Sequence, residues 1–204
     1  MIGRRGAPGG SAGGGAALPA GTALLCELSA ALGCGEPAAL ARAVERAARA
    51  REEGVLEARS VEETLLQAYL FVGFPAALEA MGAWRERCGR PPAAGAEDPL
   101  AAAERAAERE ARGEEVCRTV YGPLYGRLRQ NVRRLHPDLD LWMIREGYGK
   151  VLGRPGLPLA QRELCIAALL AAAGRGPQLH SHLSGALRAG AGPEAVRAAL
   201  GVGL

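Results

Sequence analysis

At 204 residues the chain is long enough for one or two domains, and a globule of this size buries about 70% of its unfolded surface. It is 49% hydrophobic but only 4% aromatic, and alanine and leucine dominate, which favours helices. The net charge of +3, from 25 basic and 22 acidic residues, gives no strong field for nucleic acid, so no nucleic-acid partner is expected.

Residues 1–19 form a Gly/Ala-rich stretch with nothing to pack, expected to be a disordered tail. Arg4-Arg5 is not followed by an apolar segment, so the sequence carries no convincing secretion signal. Cys26, Cys34, Cys88, Cys117 and Cys165 are odd in number and widely spaced, which argues against a disulfide scaffold and fits a reducing cytoplasm.

The first helical unit spans residues 20–88. Leu24 to Leu32 reads as a short apolar helix, Gly33 to Gly35 as a break, and Pro37 as the start of a helix ended by Gly54. Ser60 and Glu63 have the spacing of a capping box, so the next helix is expected to start there, with Val61, Leu65, Ala68, Tyr69 and Val72 on its inner face. Gly73-Phe74-Pro75 breaks it, and Pro75 starts a further segment to about Arg87. Phe71, Phe74 and Trp84 are expected in the core or at an interface.

Gly89 to Pro99 reads as a linker, and the alternating Glu and Arg that follow, to residue 113, as a solvated helix held by i,i+4 pairs. The second unit spans residues 114–204. Val116, Val120, Leu124, Leu128, Val132 and Leu135 give an apolar line with a break at Gly122-Pro123. Arg127, Arg129, Arg133 and Arg134 beside it read as a solvated face in preference to an anion site. His136-Pro137-Asp138 is a turn and cap signal.

Residues 154–190 hold two of the three histidines and the longest apolar run. Pro158 suits a helix start, and from Arg162 the run is apolar nearly all round, as in a buried helix. It is too short for a membrane span, and no membrane partner is expected. Gly174 to Pro177 stops it, and Leu179, Leu183, Ala186 and Leu187 mark a second helix capped by Gly190, so the two form an antiparallel hairpin. His180 and His182 point to different faces and cannot share a metal ion; no metal or organic cofactor is expected. From the residues alone, His182 at the edge of the apolar stripe is a helix histidine satisfied by a polar neighbour.

Arg162-Glu163-Leu164, then His182, then Gly190 resembles the signature of the carboxymuconolactone decarboxylase family of the alkylhydroperoxidase D-like superfamily. Tyr148-Gly149, Arg154-Pro155-Gly156-Leu157 and Gln178-Leu179 through Leu187 extend the resemblance. In the first unit, Tyr69 with Gly73-Phe74-Pro75-Ala76-Ala77 looks like the element that normally follows the histidine helix; here it has no second copy. The resemblance covers most of Leu24–Met81 and Val120–Leu200. It implies an all-α fold of two related helical units. There is also an internal echo: Glu27-Leu28, Arg46 and Gly54 keep the spacing of Glu163-Leu164, His182 and Gly190, although the turns do not coincide.

The resemblance implies His182 and Glu163 as catalytic residues acting on a small carboxylated or lactone-type substrate by acid/base chemistry. Arg154, Arg162 and Arg175 are candidate clamps for a substrate carboxylate, with Tyr69 as a further substrate-binding residue. Contact between Glu163 and His182 is implied by the family only; on simple hairpin spacing they lie at different depths. A peroxidase is the first alternative, but Arg175 and Gln178 occupy the positions of its cysteine pair, and Cys165 lies in the apolar run. A non-catalytic oligomeric binding protein of the same fold is the second. A homo-oligomer with the Tyr69–Trp84 region at or near the subunit contact is expected.

Overall fold

The computed structural model describes residues 18–89 and 106–203. The expected tail lies almost wholly outside these residues, as do the linker beyond Gly89 and the first part of the charged helix. Every element among the described residues is a helix, and no strand occurs among them. The all-α expectation holds.

Helix α1, Ala20–Cys34, ends on Gly35, whose left-handed backbone (φ 72°, ψ 12°) a side chain would strain. Pro37 then opens α2, Pro37–Glu52, where a missing N–H costs nothing. Helix α3, Ala58–Cys88, does not start at the expected capping box. Its cap is Glu57, and Ser60 lies inside the first turn, where its carbonyl accepts from the Thr64 hydroxyl. Glu63 is drawn to arginines of the second unit instead of to the helix end. Halfway along, Gly73 (φ 82°, ψ 168°) leaves helical geometry and Pro75 restarts it, so α3 is two segments across a kink. The helix is long and apolar enough by composition to cross a membrane. Each segment alone, at 1.5 Å per residue, reaches only about 22 Å, short of a hydrocarbon core.

Helix α4, Ala106–Tyr121, passes through a 3₁₀ turn, Gly122–Leu124, into α5, Tyr125–Leu135. His136 caps α6, Pro137–Trp142, its Nδ1 accepting from the Asp138 N–H at 3.1 Å. A π-helical segment, Met143–Leu152, continues from it. It crosses α4 closely enough that a Cβ on Gly113 would stand 2.1 Å from the Ile144 carbonyl oxygen, and one on Gly149 2.2 Å from that of Arg109. Only glycine permits that approach.

The apolar line of α4–α5 divides at the 3₁₀ turn. Val120 is in the core, but Leu124 and Leu135 face solvent, Leu135 with 77% of its surface exposed. The arginines divide too. Arg127 and Arg134 are exposed, as a solvated face requires. Arg133 is exposed as well, but it joins the largely covered Arg129 in clasping the buried Asp140 of α6. Arg129 donates to both carboxylate oxygens and Arg133 to Oδ2 at 3.0 and 2.7 Å. These guanidinium bonds, Arg129 first, hold the Asp140 carboxyl below its ordinary value of 3.8. A depressed carboxylate stabilises the fold above its unfolded value and ceases to do so as pH falls through the folded one. Asp140→Asn should therefore loosen the α5–α6 hairpin and lower stability by about 2 kcal/mol near neutral pH. The difference from wild type should shrink below about pH 4. Urea titrations at pH 7 and pH 3 check both parts.

Helix α7, Leu159–Ala172, is the central element. Arg162 through Leu170 are all buried, which is why its sequence is apolar on every side. It packs against α1, α3, α8 (Gly176–Arg188) and α9 (Pro193–Gly203). The α1–α2 and α7–α8 hairpins are the two copies of the internal echo, and α1 crosses α7 between them. At that crossing Gly33 backs onto the Leu169 carbonyl, and Leu169 holds in the second copy the place of Gly33 in the first. Trp84 is fully buried in the core, whereas Phe74 is 63% and Leu78 67% exposed. The aromatic set of α3 thus splits between interior and surface.

Candidate active site

Glu163 sits in the first turns of α7 and His182 in the middle of α8. Simple spacing sets them a few residues apart in depth, roughly 4–5 Å at 1.5 Å per residue. The structure brings them together: His182 Nδ1 lies 2.8 Å from Glu163 Oε2. The reach of the glutamate side chain closes the gap. Both groups are buried, Glu163 completely. With a carboxylate on Nδ1, that nitrogen carries the proton and Nε2 is left as the imidazole's working atom. Glu163 Oε1 has no hydrogen-bond partner among the described residues.

Neighbouring elements fix the pair. Gly185, one turn beyond His182, lets α8 close on it: a Cβ there would be 2.6 Å from Glu163 Oε2 and 2.7 Å from Val120 Cγ1. Arg188 ties α8 to α4 by donating to the Val120 carbonyl at 2.8 Å. Phe71, just before the α3 kink, meets the His182 ring edge-on at 5.6 Å between centroids. The first unit therefore supplies one wall of a site whose polar pair belongs to the second.

Tyr121, Tyr148 and Cys117 lie in the same interior region. The rings of Tyr121 and Tyr148 meet edge-to-face at 6.3 Å. Burial, reinforced by the Glu163 charge, raises both hydroxyls above their ordinary range. Burial likewise pushes the Cys117 thiol up to about 12, although Arg129 pulls the other way. Cys117 is therefore a protonated thiol near neutral pH and a poor nucleophile. Sequence reasoning had no means to place Cys117 or Tyr121 here, because they come from α4, far away in the chain. Gly185 had a signal, a small residue one helical turn after His182.

The other candidate residues are arranged differently. Arg162 is fully buried, and it donates to Glu63 Oε2 at 2.9 Å, to Gln67 Oε1 at 3.2 Å and to the Arg154 carbonyl at 2.9 Å. Arg154 binds the same Glu63 through Nε and Nη2 at 3.1–3.2 Å. Both candidate clamps are thus engaged with a carboxylate of this chain. Tyr69 is half-buried and stacks on Phe74 at 4.6 Å, and burial raises its hydroxyl. Arg175 is exposed at the N-terminal cap of α8, two turns before His182 on the same side of the helix. His180 is exposed, as opposite faces require. No group of three or more His, Cys, Asp or Glu side chains converges into a metal set among the described residues.

The model of the carboxymuconolactone decarboxylase family matches residues 137–204, about a third of the chain. Over that segment the chain is similar to the carboxymuconolactone decarboxylase family. The match includes the whole Glu163–His182 hairpin, together with Arg154, Arg162 and Arg175; Phe71, Cys117 and Tyr121 lie outside it. No curated protein and no solved structure matches the chain. The family match thus covers the polar pair but not the α3 and α4 walls that pack around it.

Proposed function

We propose that the chain is an acid/base enzyme acting on a small carboxylated or lactone-type substrate. The observation that carries this reading is the 2.8 Å contact between two buried, oppositely chargeable groups, His182 and Glu163, on the helices that the family segment contains. Glu163 orients the imidazole and balances its charge when protonated. Nε2 then gives a proton to, or takes one from, the carbon that changes its electron density. Arg175 is the candidate to hold the substrate carboxylate, since no ion pair engages it among the described residues and it stands on the same side of α8. The peroxidase alternative finds no support in Cys117, whose thiol is held protonated.

A second reading has its own observation. His182 is buried, and none of the four surface cavities described, of about 220 to 420 Å³, is lined by His182 or Glu163. This favours a binding protein that keeps the fold without the chemistry. Turnover of a panel of carboxymuconolactone-like acids by wild type and His182→Ala separates the two. The enzyme reading expects turnover of at least one acid and a loss of about 10²–10⁴-fold in the variant, the usual worth of a positioned acid or base. Indistinguishable rates across the panel would leave only the binding protein.

A further inference from the structure

The first copy of the internal echo also closes an ion pair. Arg46 of α2 reaches Glu27 of α1 at 2.9 Å, where the second copy has His182 and Glu163 at 2.8 Å. The turns of the two hairpins differ, yet the equal spacing along the chain produces the same contact. The surroundings differ: the first pair is partly exposed and the second is buried. The first pair lies on the wall of a surface cavity of about 400 Å³, whereas none of the described cavities reaches the second.

We propose that this cavity binds a small organic monocarboxylate. Its base is apolar, made of alanines of α1 and α2 together with Ala172 and Val202 from the second unit. Its charged side chains are Arg42, Arg46 and Glu27. Glu27 offsets one guanidinium. Arg42 makes no ion pair among the described residues, so one positive charge is left over for a ligand. Arg42 and Arg46 stand one turn apart on the same face of α2, so both can address one carboxylate. Arg46 meets Glu27 as an ion pair through Nη1, and a guanidinium has five N–H donors, so others remain for a ligand. A single negative charge balances the site, and an aliphatic body of a few carbons covers the alanine floor. An arginine, which stays protonated, replaces the histidine of the other hairpin, so the site holds an anion without a group to move protons at neutral pH. The inference is independent of the role given to His182.

Cys34 lines the same cavity and is exposed, which provides a direct reading. The experiment follows alkylation of Cys34 in the full chain by N-ethylmaleimide, resolved by peptide mass spectrometry, with the partly buried Cys88 as internal reference. Hexanoate should slow Cys34 modification in a saturable manner and leave Cys88 unchanged, whereas hexylammonium should not protect. Arg42→Ala should raise the half-protecting concentration by about tenfold, and His182→Ala should leave it unchanged. Absence of protection would overturn the proposal. Equal protection by hexylammonium, or full protection in Arg42→Ala, would show that no anion subsite exists. Loss of protection in His182→Ala would place the ligand at the other hairpin. Because Arg42 is exposed, its substitution leaves the core intact.

Discussion

Gly33→Ala should unfold the chain or cost it about 3 kcal/mol or more, against the usual sign for this substitution within a helix. Alanine ordinarily gains up to about 1 kcal/mol over glycine there, because it loses less backbone entropy on folding. At position 33 the added Cβ would stand 2.2 Å from the Leu169 carbonyl oxygen, 3.0 Å from its carbon and 3.2 Å from Ala172 Cβ. The obstacle is backbone of the central helix and cannot rotate away. Relief requires α1 and α7 to separate, and with them the crossing that joins the two hairpins. Gly82→Ala is the control, since a Cβ there meets nothing within 4 Å. Thermal unfolding by circular dichroism should show the first variant far below wild type and the second at or slightly above it. A Gly33→Ala protein as stable as wild type would mean that α1 and α7 do not cross this closely.

The second large effect is expected at Glu63. Its carboxylate takes hydrogen bonds from Arg162 and Arg154, across 99 and 91 residues of chain. Arg162 is wholly inside, and burial, the largest influence on it, already disfavours its charged form despite the carboxylate. Glu63→Gln keeps the shape and removes the charge. Two guanidiniums would then share a buried site with no anion, and removing one partner of a buried pair costs about 3–5 kcal/mol. Urea unfolding should show that loss. Glu62→Gln on the neighbouring position, whose partner Arg85 is more open to solvent, should cost under about 1 kcal/mol. Comparable losses at both positions would contradict the buried-pair description.

The sequence made the α7–α8 hairpin legible because its signals are local: an apolar run without polar faces, a Gly-Arg-Gly-Pro stop and a glycine at 190, which has φ of 100°. The break at Gly73 and the proline start of α2 were readable for the same reason. The failures were long-range. Glu63 fits a capping box with Ser60, but two arginines from beyond residue 150 compete for its carboxylate and win. Those same arginines had the chemistry of a substrate clamp, and only the fold shows that Glu63 already engages them. Leu124 and Leu135 continue a helical apolar line, yet the 3₁₀ turn before α5 rotates that line outward. At the candidate site, spacing separated Glu163 from His182, and the reach of one side chain joined them. Nothing local to Phe71 signals that it packs on the histidine.

The claim that Glu163 and His182 act as one unit is tested most directly by a double-mutant cycle on kcat/KM, using whichever carboxymuconolactone-like acid wild type turns over. The variants are Glu163→Gln, His182→Ala and the pair together, each first shown to keep the helical circular dichroism of wild type. If Glu163 works only through the imidazole, the double variant should be no slower than His182→Ala alone, as expected for residues acting as a unit. Losses that multiply, or single variants as fast as wild type, would contradict it.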